Sequence, residues 1–188
     1  MTSTPRIRVL FDEATLAKRN DELAKEIAAV EPKDLLVVAI LKGSFMFASD
    51  LLRSLHRVGL MPQVEFVHLS SYRDGTTSSG QVEILRDVQS SVKGRDVLLV
   101  DDILESGRTL VFAKDLLMAR GANRVFSTVL LEKPNKRAVS IGADFVGFTC
   151  PDLFVVGYGM DIAHYYRELP FVGVVDHVDQ EPDMFGGA

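Results

Sequence analysis

Two adjacent carboxylates followed by a hydroxyl-rich turn are the residues of this sequence best suited to chemistry. Asp101 and Asp102 end an apolar run of strand length, and residues 106–109 then lead into a helical pattern. Backbone N–H groups at a helix N-terminus favour an anion, so this turn predicts a phosphate site. The two acids would repel a bare phosphate unless they bind sugar hydroxyls or a hard cation such as Mg²⁺. A ribose phosphate satisfies both demands.

The elements that must position these residues follow from hydrophobic periodicity. Residues 12–30 predict an amphipathic helix with Asp12 as its N-cap, and residues 45–55 predict a second helix. Buried strands are predicted at 35–41, 64–69, 97–100 and 125–131, with a half-exposed strand at 81–86 and short strands at 145–148 and 154–158. Alternating strands and helices indicate an α/β protein with a parallel sheet. Its ligand is expected beyond the carboxyl ends of the strands, where Lys42, Glu105 and Lys133 also fall.

The acid-pair loop resembles the phosphoribosyl-diphosphate binding motif of the type I phosphoribosyltransferases. That loop alone is typical of the whole superfamily. Further matches occur in the order and approximate spacing of the hypoxanthine phosphoribosyltransferases, between about Leu10 and Val175. The matching segments are residues 41–45, Ser71 with Tyr72, Lys133, residues 154–161, and Arg167.

The resemblance implies a fold and a reaction. The fold is a central parallel sheet flanked by helices, with a small hood built from chain-terminal segments, in one domain over residues 1–188. The reaction is purine salvage, in which the 5-phosphoribosyl group of phosphoribosyl diphosphate is transferred to hypoxanthine or guanine, forming IMP or GMP and diphosphate. The resemblance also implies Mg²⁺ as cofactor and a homodimer or homotetramer.

The resemblance also implies a role for each matching residue. The ribose is bound by Asp101 and Asp102, and its 5-phosphate by Glu105, Ser106, Gly107, Arg108 and Thr109. The diphosphate is bound by Lys42, Gly43 and Arg167, in a loop with a strained or cis peptide before Lys42. The purine is bound by Lys133, Phe154 and Val155, the metal by Asp161, and the lid carries Ser71 and Tyr72.

Glu105 departs from the family pattern. The family usually has an aspartate here that acts as general base toward the purine N7, and glutamate is one methylene longer. A carboxylate within reach of the proton is what general-base chemistry requires. The alternative is a loop acid that only caps the following helix.

Lys133 bears on the choice of purine. A lysine that donates to an exocyclic carbonyl oxygen favours 6-oxopurines over adenine, which presents an amino donor there. Phe154 would stack on the planar base, and backbone groups of Val155 would meet its edge.

Each of these residues also has a purely structural interpretation. The acid pair would be a solvated strand end, Lys42 and Lys133 would be surface charges, and Phe154 would belong to the core. Arg167 would pair with Glu168 or cap a helix, and Asp161 would cap a turn. The polar residues 70–80, predicted to form a mobile loop and the family's lid, would be plain disorder.

Composition excludes several other classes. The chain of 188 residues has a net charge of −5, which argues against general nucleic-acid binding, and no apolar run long enough to cross a membrane. The single Cys150 allows no intrachain disulfide and, with no signal peptide, predicts a cytoplasmic protein. The histidines lack metal-site spacing, and no complete nucleotide-hydrolase or dinucleotide-binding loop is present.

Two other functions remain open at this stage. One is a non-enzymatic regulator that senses nucleotides on the same fold and binds RNA or DNA. The other is a transferase that prefers xanthine or adenine, of which Lys133 and the run from Phe154 disfavour adenine.

Overall fold

The structure is a computed structural model that describes residues 6–74 and 77–176, with the backbone alone for residues 71–74, 77–81 and 176. Its strands are β1 (Arg6–Phe11), β2 (Leu36–Leu41), β3 (Gln63–Asp74), β4 (Thr77–Arg86), β5 (Asp96–Leu104), β6 (Arg124–Glu132), β7 (Phe145–Thr149), β8 (Val155–Val156) and β9 (Val172–Asp176). Its helices are α1 (Glu13–Ala29), α2 (Phe45–Arg57) and α3 (Arg108–Ala119), with a 3-10 turn at Pro134–Lys136.

Six strands form the main sheet in the order β4-β3-β2-β5-β6-β7. Strands β3, β2, β5, β6 and β7 run parallel, which confirms the α/β class, but β4 is antiparallel to β3 at the edge. The sheet is therefore mixed rather than wholly parallel. The antiparallel edge arises because β3 and β4 are consecutive strands of a hairpin, which needs no crossover helix.

The prediction of a loop over residues 70–80 was wrong as to secondary structure for the part of it that the structure describes, and its mobility stays a prediction. There the backbone continues β3 and β4 as a paired ladder, with Ser71 opposite Val82 and Asp74 opposite Thr77. Polar composition suggested a loop, but ladder hydrogen bonds join backbone groups and do not require apolar side chains.

The acid pair lies within β5 rather than after it. β5 pairs with β2 only as far as Val100, whereas its pairing with β6 continues through Asp101 to Leu104. The sequence placed the end of the strand at the last apolar residue, but the ladder with β6 carries the backbone four residues further. The acids therefore lie in a regular part of β5 that pairs with β6 but no longer with β2.

Both faces of the sheet are covered, and the side chains of β2 alternate between them. Val37 and Ala39 belong to the core under α1 and α2, and Leu36, Val38 and Ile40 belong to the core under α3. The near-continuous apolar run thus reflects burial on both faces. Asp12 caps α1 as predicted, since its Oδ1 accepts the Thr15 N–H at 2.8 Å.

The hood is a separate three-stranded antiparallel sheet in the order β1-β9-β8. Strands β1 and β9 confirm the expected hood from chain-terminal segments, and β8, which contains the cleft residue Val155, is its third strand. Val155, Val172 and Val174 of the hood are buried in the same core as α1 and α2, and the ring of Phe11 stacks on Phe148 of β7 at 4.2 Å. Among the described helices, none has the length and apolarity that crossing a membrane requires.

Candidate active site

A cleft of about 560 Å³ opens beyond the carboxyl ends of β2, β5 and β6, and the segment that follows β8 closes one side. Nearly all the predicted site residues line it, together with several apolar side chains that the sequence did not single out. The predicted residues in its lining are Lys42, Gly43, Asp101, Asp102, Glu105, Ser106, Gly107, Thr109, Lys133, Phe154, Val155, Asp161 and Arg167. The additional apolar ones include Leu69, Ile103 and Met160.

Two carboxylates stand side by side at the base of the cleft. Asp101 is 9% exposed, and its Oδ1 accepts the backbone N–H of Asp102 at 3.0 Å, while Asp102 Oδ1 accepts that of Ile103 at 2.9 Å. Burial raises the pKa of Asp101 well above its usual range, and the neighbouring Asp102 charge raises it further. Burial also raises the pKa of Asp102. Each carboxylate thus accepts a neighbouring backbone N–H, and among the described residues neither forms an ion pair.

The loop after β2 approaches the acid pair closely because residue 43 has no side chain. A Cβ placed on Gly43 would lie 1.6 Å from Asp102 Oδ2, so any side chain there would displace the Asp102 carboxylate. The peptide between Leu41 and Lys42 is cis, one of the two conformations expected at this position. On the other side of the loop, a Cβ on Gly159 would lie 2.2 Å from the Gly43 carbonyl oxygen. Asp102, Gly43 and Gly159 thus form a stack from the sheet to the far wall of the cleft.

The predicted phosphate loop, hereafter the phosphate loop, runs from Glu105 to the first turn of α3. Gly107 caps that helix at φ +81°, and a Cβ there would lie 2.5 Å from Ile141 Cγ2. The first-turn N–H groups have no carbonyl partner within the helix, as an anion site requires. Arg108 does not line the cleft, and its backbone N–H donates to Ser106 Oγ at 3.4 Å. Its predicted place among the phosphate ligands stays a prediction.

Glu105 and Lys133 form an ion pair. Lys133 Nζ donates to Glu105 Oε1 at 2.5 Å, and the lysine side chain is 8% exposed while that of Glu105 is 47% exposed. The surface-charge interpretation of Lys133 is therefore wrong, because its ammonium is buried in the cleft wall. A proton acceptor and a cation meet at one point in the cleft.

Phe154 and Val155 occupy the edge of the cleft. Phe154 is 49% exposed although it is a large aromatic residue, and Val155 is buried. An aromatic face left open to a cleft is available for stacking on a planar ligand. The core interpretation of Phe154 is therefore wrong.

Asp161 and Arg167 are joined to each other. Arg167 Nη2 lies 2.7 Å from Asp161 Oδ1, and Arg167 Nη1 donates to the Gly159 carbonyl at 2.6 Å. Asp161 Oδ2 accepts the His164 N–H at 2.8 Å. Within the described residues, Arg167 thus pairs with Asp161 and the Gly159 carbonyl rather than with Glu168 or a helix end, and its guanidinium lies on the wall that carries the glycine stack.

Tyr158 is a residue that the sequence did not single out. It has φ +50° between Gly157 and Gly159, and its hydroxyl donates to Asp50 Oδ2 at 2.7 Å and accepts from Asn20 at 2.9 Å. Burial raises the pKa of the phenol, and the Asp50 carboxylate adds to the effect. The two helices that carry Asp50 and Asn20 thereby anchor the turn that contacts Gly43. The two flanking glycines were its only signal in the sequence.

The side chains of the predicted lid residues Ser71 and Tyr72 lie outside what the structure describes. Among the described residues, no three His, Cys, Asp or Glu side chains are arranged to hold a metal ion by themselves.

Comparisons with known proteins agree with this geometry. Residues 10–163 match the phosphoribosyl transferase domain family. The hypoxanthine-guanine phosphoribosyltransferase of Dictyostelium discoideum is 41% identical over 167 residues, which cover 88% of this chain and 93% of that protein. A hypoxanthine phosphoribosyltransferase structure from Staphylococcus aureus superposes with a TM-score of 0.84 at 40% identity, covering 90% of this chain and 91% of the other.

Another group of relatives is longer. The bifunctional protein TilS/HprT of Listeria innocua is 46% identical over 169 residues, which are 89% of this chain but only 26% of that protein. The present chain thus corresponds to about a quarter of the bifunctional relatives and to nearly all of the shorter ones. It belongs to the phosphoribosyl transferase domain family and, within it, to the hypoxanthine-guanine phosphoribosyltransferases.

Proposed function

We propose that this protein transfers the 5-phosphoribosyl group of phosphoribosyl diphosphate to hypoxanthine or guanine, forming the nucleoside monophosphate and diphosphate. The observation that carries the proposal is the contact between Glu105 and Lys133, 2.5 Å apart in the cleft that also holds the acid pair and the N-terminus of α3. A site for a base therefore adjoins a site for a sugar phosphate.

The base site has the groups that a 6-oxopurine needs. The Lys133 ammonium donates to the exocyclic oxygen at C6, where adenine would present a donor of its own. The Glu105 carboxylate takes the proton from N7 as the new glycosidic bond forms at N9. Phe154 stacks on the ring, and the Val155 backbone meets its edge.

The sugar-phosphate site uses the two features predicted from the sequence. The hydroxyls of the ribose donate to Asp101 and Asp102, which supplies the donors that these acids lack. The 5-phosphate sits at the N-terminus of α3, where Ser106 and Thr109 add hydroxyl donors to the backbone N–H groups. The two sites together fix C1 of the ribose between the base and the leaving group.

The diphosphate leaves C1 as the sugar develops oxocarbenium character. Lys42 and Arg167 stabilise the charge of the leaving group, and the Gly43 backbone allows its close approach. Asp161 fits a role in holding Mg²⁺, because its carboxylate lines the cleft and hard oxygen donors suit that ion. Bound Mg²⁺ would neutralise diphosphate charge.

The remaining expectations concern the protein as a whole. We propose that Ser71 and Tyr72 belong to a lid that excludes water from the reacting sugar, and that the enzyme works in the cytoplasm as a homodimer or homotetramer. Membership in the transferase family leaves the regulator without support, and the buried Lys133 gives the base site the cation that an oxopurine requires.

Steady-state assays with phosphoribosyl diphosphate and Mg²⁺ test this function. Hypoxanthine, guanine, xanthine and adenine are compared by the rate at which each gives its nucleotide, beside a filter-binding assay with RNA and DNA. We expect nucleotide from hypoxanthine or guanine, far less from adenine, and no retention of nucleic acid. Preferred use of xanthine would correct the substrate, and nucleic-acid binding without transfer would replace the enzyme by a regulator.

A further inference from the structure

Arg137 is a half-buried arginine that binds the back of the active site without lining the cleft. Its side chain is 17% exposed, and its Nη1 donates to the carbonyl oxygens of Leu104 and Glu105, both at 2.7 Å. The same nitrogen reaches the Lys133 carbonyl at 3.3 Å. One guanidinium nitrogen thus contacts the backbone of both residues of the ion pair.

The rest of the guanidinium is fixed as well. Nε donates to the Ile141 carbonyl at 3.1 Å, and Nη2 pairs with Glu132 Oε1 at 2.5 Å. The planar guanidinium has donors in fixed directions and can bind several acceptors at once, which a lysine ammonium does not reproduce. Arg137 is therefore oriented on all sides by acceptors from the phosphate loop, from the end of β6 and from residue 141.

Other contacts make residues 133–141 a brace behind the phosphate loop. The Ser106 carbonyl accepts the N–H groups of Ala138 at 3.0 Å and Val139 at 3.3 Å, and the Lys133 N–H donates to the Leu104 carbonyl at 3.0 Å. Ile141 fills the space against Gly107. Among the described residues of this brace, Arg137 is the side chain that contacts the backbones of both the proposed general base and the proposed purine lysine.

We propose that Arg137 is a positioning residue for the transfer reaction, which holds the backbones of Glu105 and Lys133 at one separation so that base and cation meet the same purine. This inference rests on the proposed function and extends it to a residue outside the cleft. A shift of about 1 Å in either backbone would misplace the proton acceptor, and errors of that size cost on the order of 10²-fold in rate.

The test compares Arg137→Gln with Arg19→Gln in single-turnover nucleotide formation. Arg19 is a matched control, since its side chain is 21% exposed, donates to the carbonyls of Val146 and Gly147 and pairs with Glu22 and Glu26, yet does not line the cleft. We expect both variants to unfold at lower temperature. We expect Arg137→Gln alone to slow the chemical step, by roughly 10- to 100-fold.

A double-mutant cycle separates positioning from general support of the fold. If Arg137 acts through Glu105, Arg137→Gln slows the reaction much less when Glu105→Gln is already present. Equal slowing in both backgrounds, or a wild-type chemical step in Arg137→Gln, would overturn the inference. Should Arg137→Gln not fold, Arg137→Lys enters the same cycle, because it keeps the charge and loses the fork. A wild-type enzyme that forms no nucleotide would instead refute the proposed function.

Discussion

Strand β5 carries two aspartates whose surroundings shift their pKa values in opposite directions. Asp96 is fully buried at its start, where hydrogen bonds from Arg124 are the main cause that lowers its pKa to about 2. Asp101, five residues on, has a pKa raised by burial and by the adjacent Asp102. The difference is the supply of donors. Asp96 has its partners within the fold, whereas the ribose of the proposed substrate would supply further donors to Asp101.

Asp101→Asn should therefore stabilise the free protein while weakening phosphoribosyl diphosphate binding. The amide keeps the size of the side chain and removes one of two buried like charges, so we expect the melting temperature to rise. Loss of a charged acceptor for a ribose hydroxyl should weaken binding by roughly 10- to 100-fold. Calorimetric titration and thermal unfolding measure the two effects. Asp96→Asn is the control from the same strand and should lower the melting temperature; a destabilised Asp101→Asn would contradict the account.

Glu105→Gln should lower the rate of the chemical step by about 10²- to 10⁴-fold, because it removes the proton acceptor at unchanged length. Glu105→Asp keeps a carboxylate and restores the usual family residue, so we expect a milder change. Single-turnover kinetics is the right measurement, since product release often limits the steady state. Chemistry at the wild-type rate in Glu105→Gln would assign the proton to a water or to another acid.

The sequence identified candidate functional side chains where they follow a strand and line the cleft. Lys42, Glu105 and Lys133 were found in this way, and the structure brings them to one cleft. Arg137 and Tyr158 were missed because neither lines the cleft. Arg137 contacts backbone carbonyls behind it, and Tyr158 contacts side chains of α1 and α2. Such contacts join residues that are distant in sequence and leave no periodic pattern.

At the scale of elements, the hydrophobic pattern located the buried strands and placed their ends at the last apolar residue. For β2 that placement was correct to within one residue, because its ladder and its burial end together. For β5 and β3 the backbone pairing continues beyond the last apolar side chain, so the predicted strands ended too early. Strand length depends on the partner strand, which one-dimensional periodicity does not contain.

The free energy of unfolding should fall in acid because the carboxylate of Asp96, at the start of β5, becomes protonated. Its carboxylate pairs with Arg124 and accepts from the Lys33 and Asn123 N–H groups. Because its folded pKa of about 2 lies below the unfolded value of about 3.9, the gain of roughly 2 to 3 kcal/mol is complete above about pH 5 and is lost as the pH falls toward 2. Denaturant unfolding from pH 7 to pH 2 measures it. Asp96→Asn should flatten the curve in that range, and an unchanged slope would refute the assignment.

At the scale of the whole molecule, the cleft lies between two sheets that share one core. Strands β1 and β9 of the hood pair with each other although most of the chain lies between them in sequence. Periodicity did not reveal that pairing, and the hood was expected only from the family resemblance. The sheet side supplies the acid pair and the phosphate loop, and the segment around β8 supplies Phe154, Asp161 and Arg167.

A ligand that contacts both sides should therefore slow the opening of the hood. With IMP or GMP and Mg²⁺ at about 100 times the dissociation constant, the bound state gains roughly 2.7 kcal/mol, so amides that exchange through hood opening slow by up to about 100-fold. Hydrogen exchange in β1 and β9 measures this. The Gly94 N–H, bonded to the Gly121 carbonyl at 2.7 Å at the far end of the sheet, is the control for local exchange. Equal exchange of the hood with and without nucleotide would contradict a shared site.

The donor-poor acid pair also has a consequence for the life of the protein in a cell. In the proposed function a bound sugar would donate hydrogen bonds to the buried Asp101 and Asp102 and so stabilise the protein relative to its substrate-free state. Proteases act on the transiently unfolded chain, so a shift of one or two kcal/mol changes abundance several-fold. The amount of enzyme should then follow the supply of its sugar-phosphate substrate without any change in synthesis, since the substrate protects the molecules that it occupies.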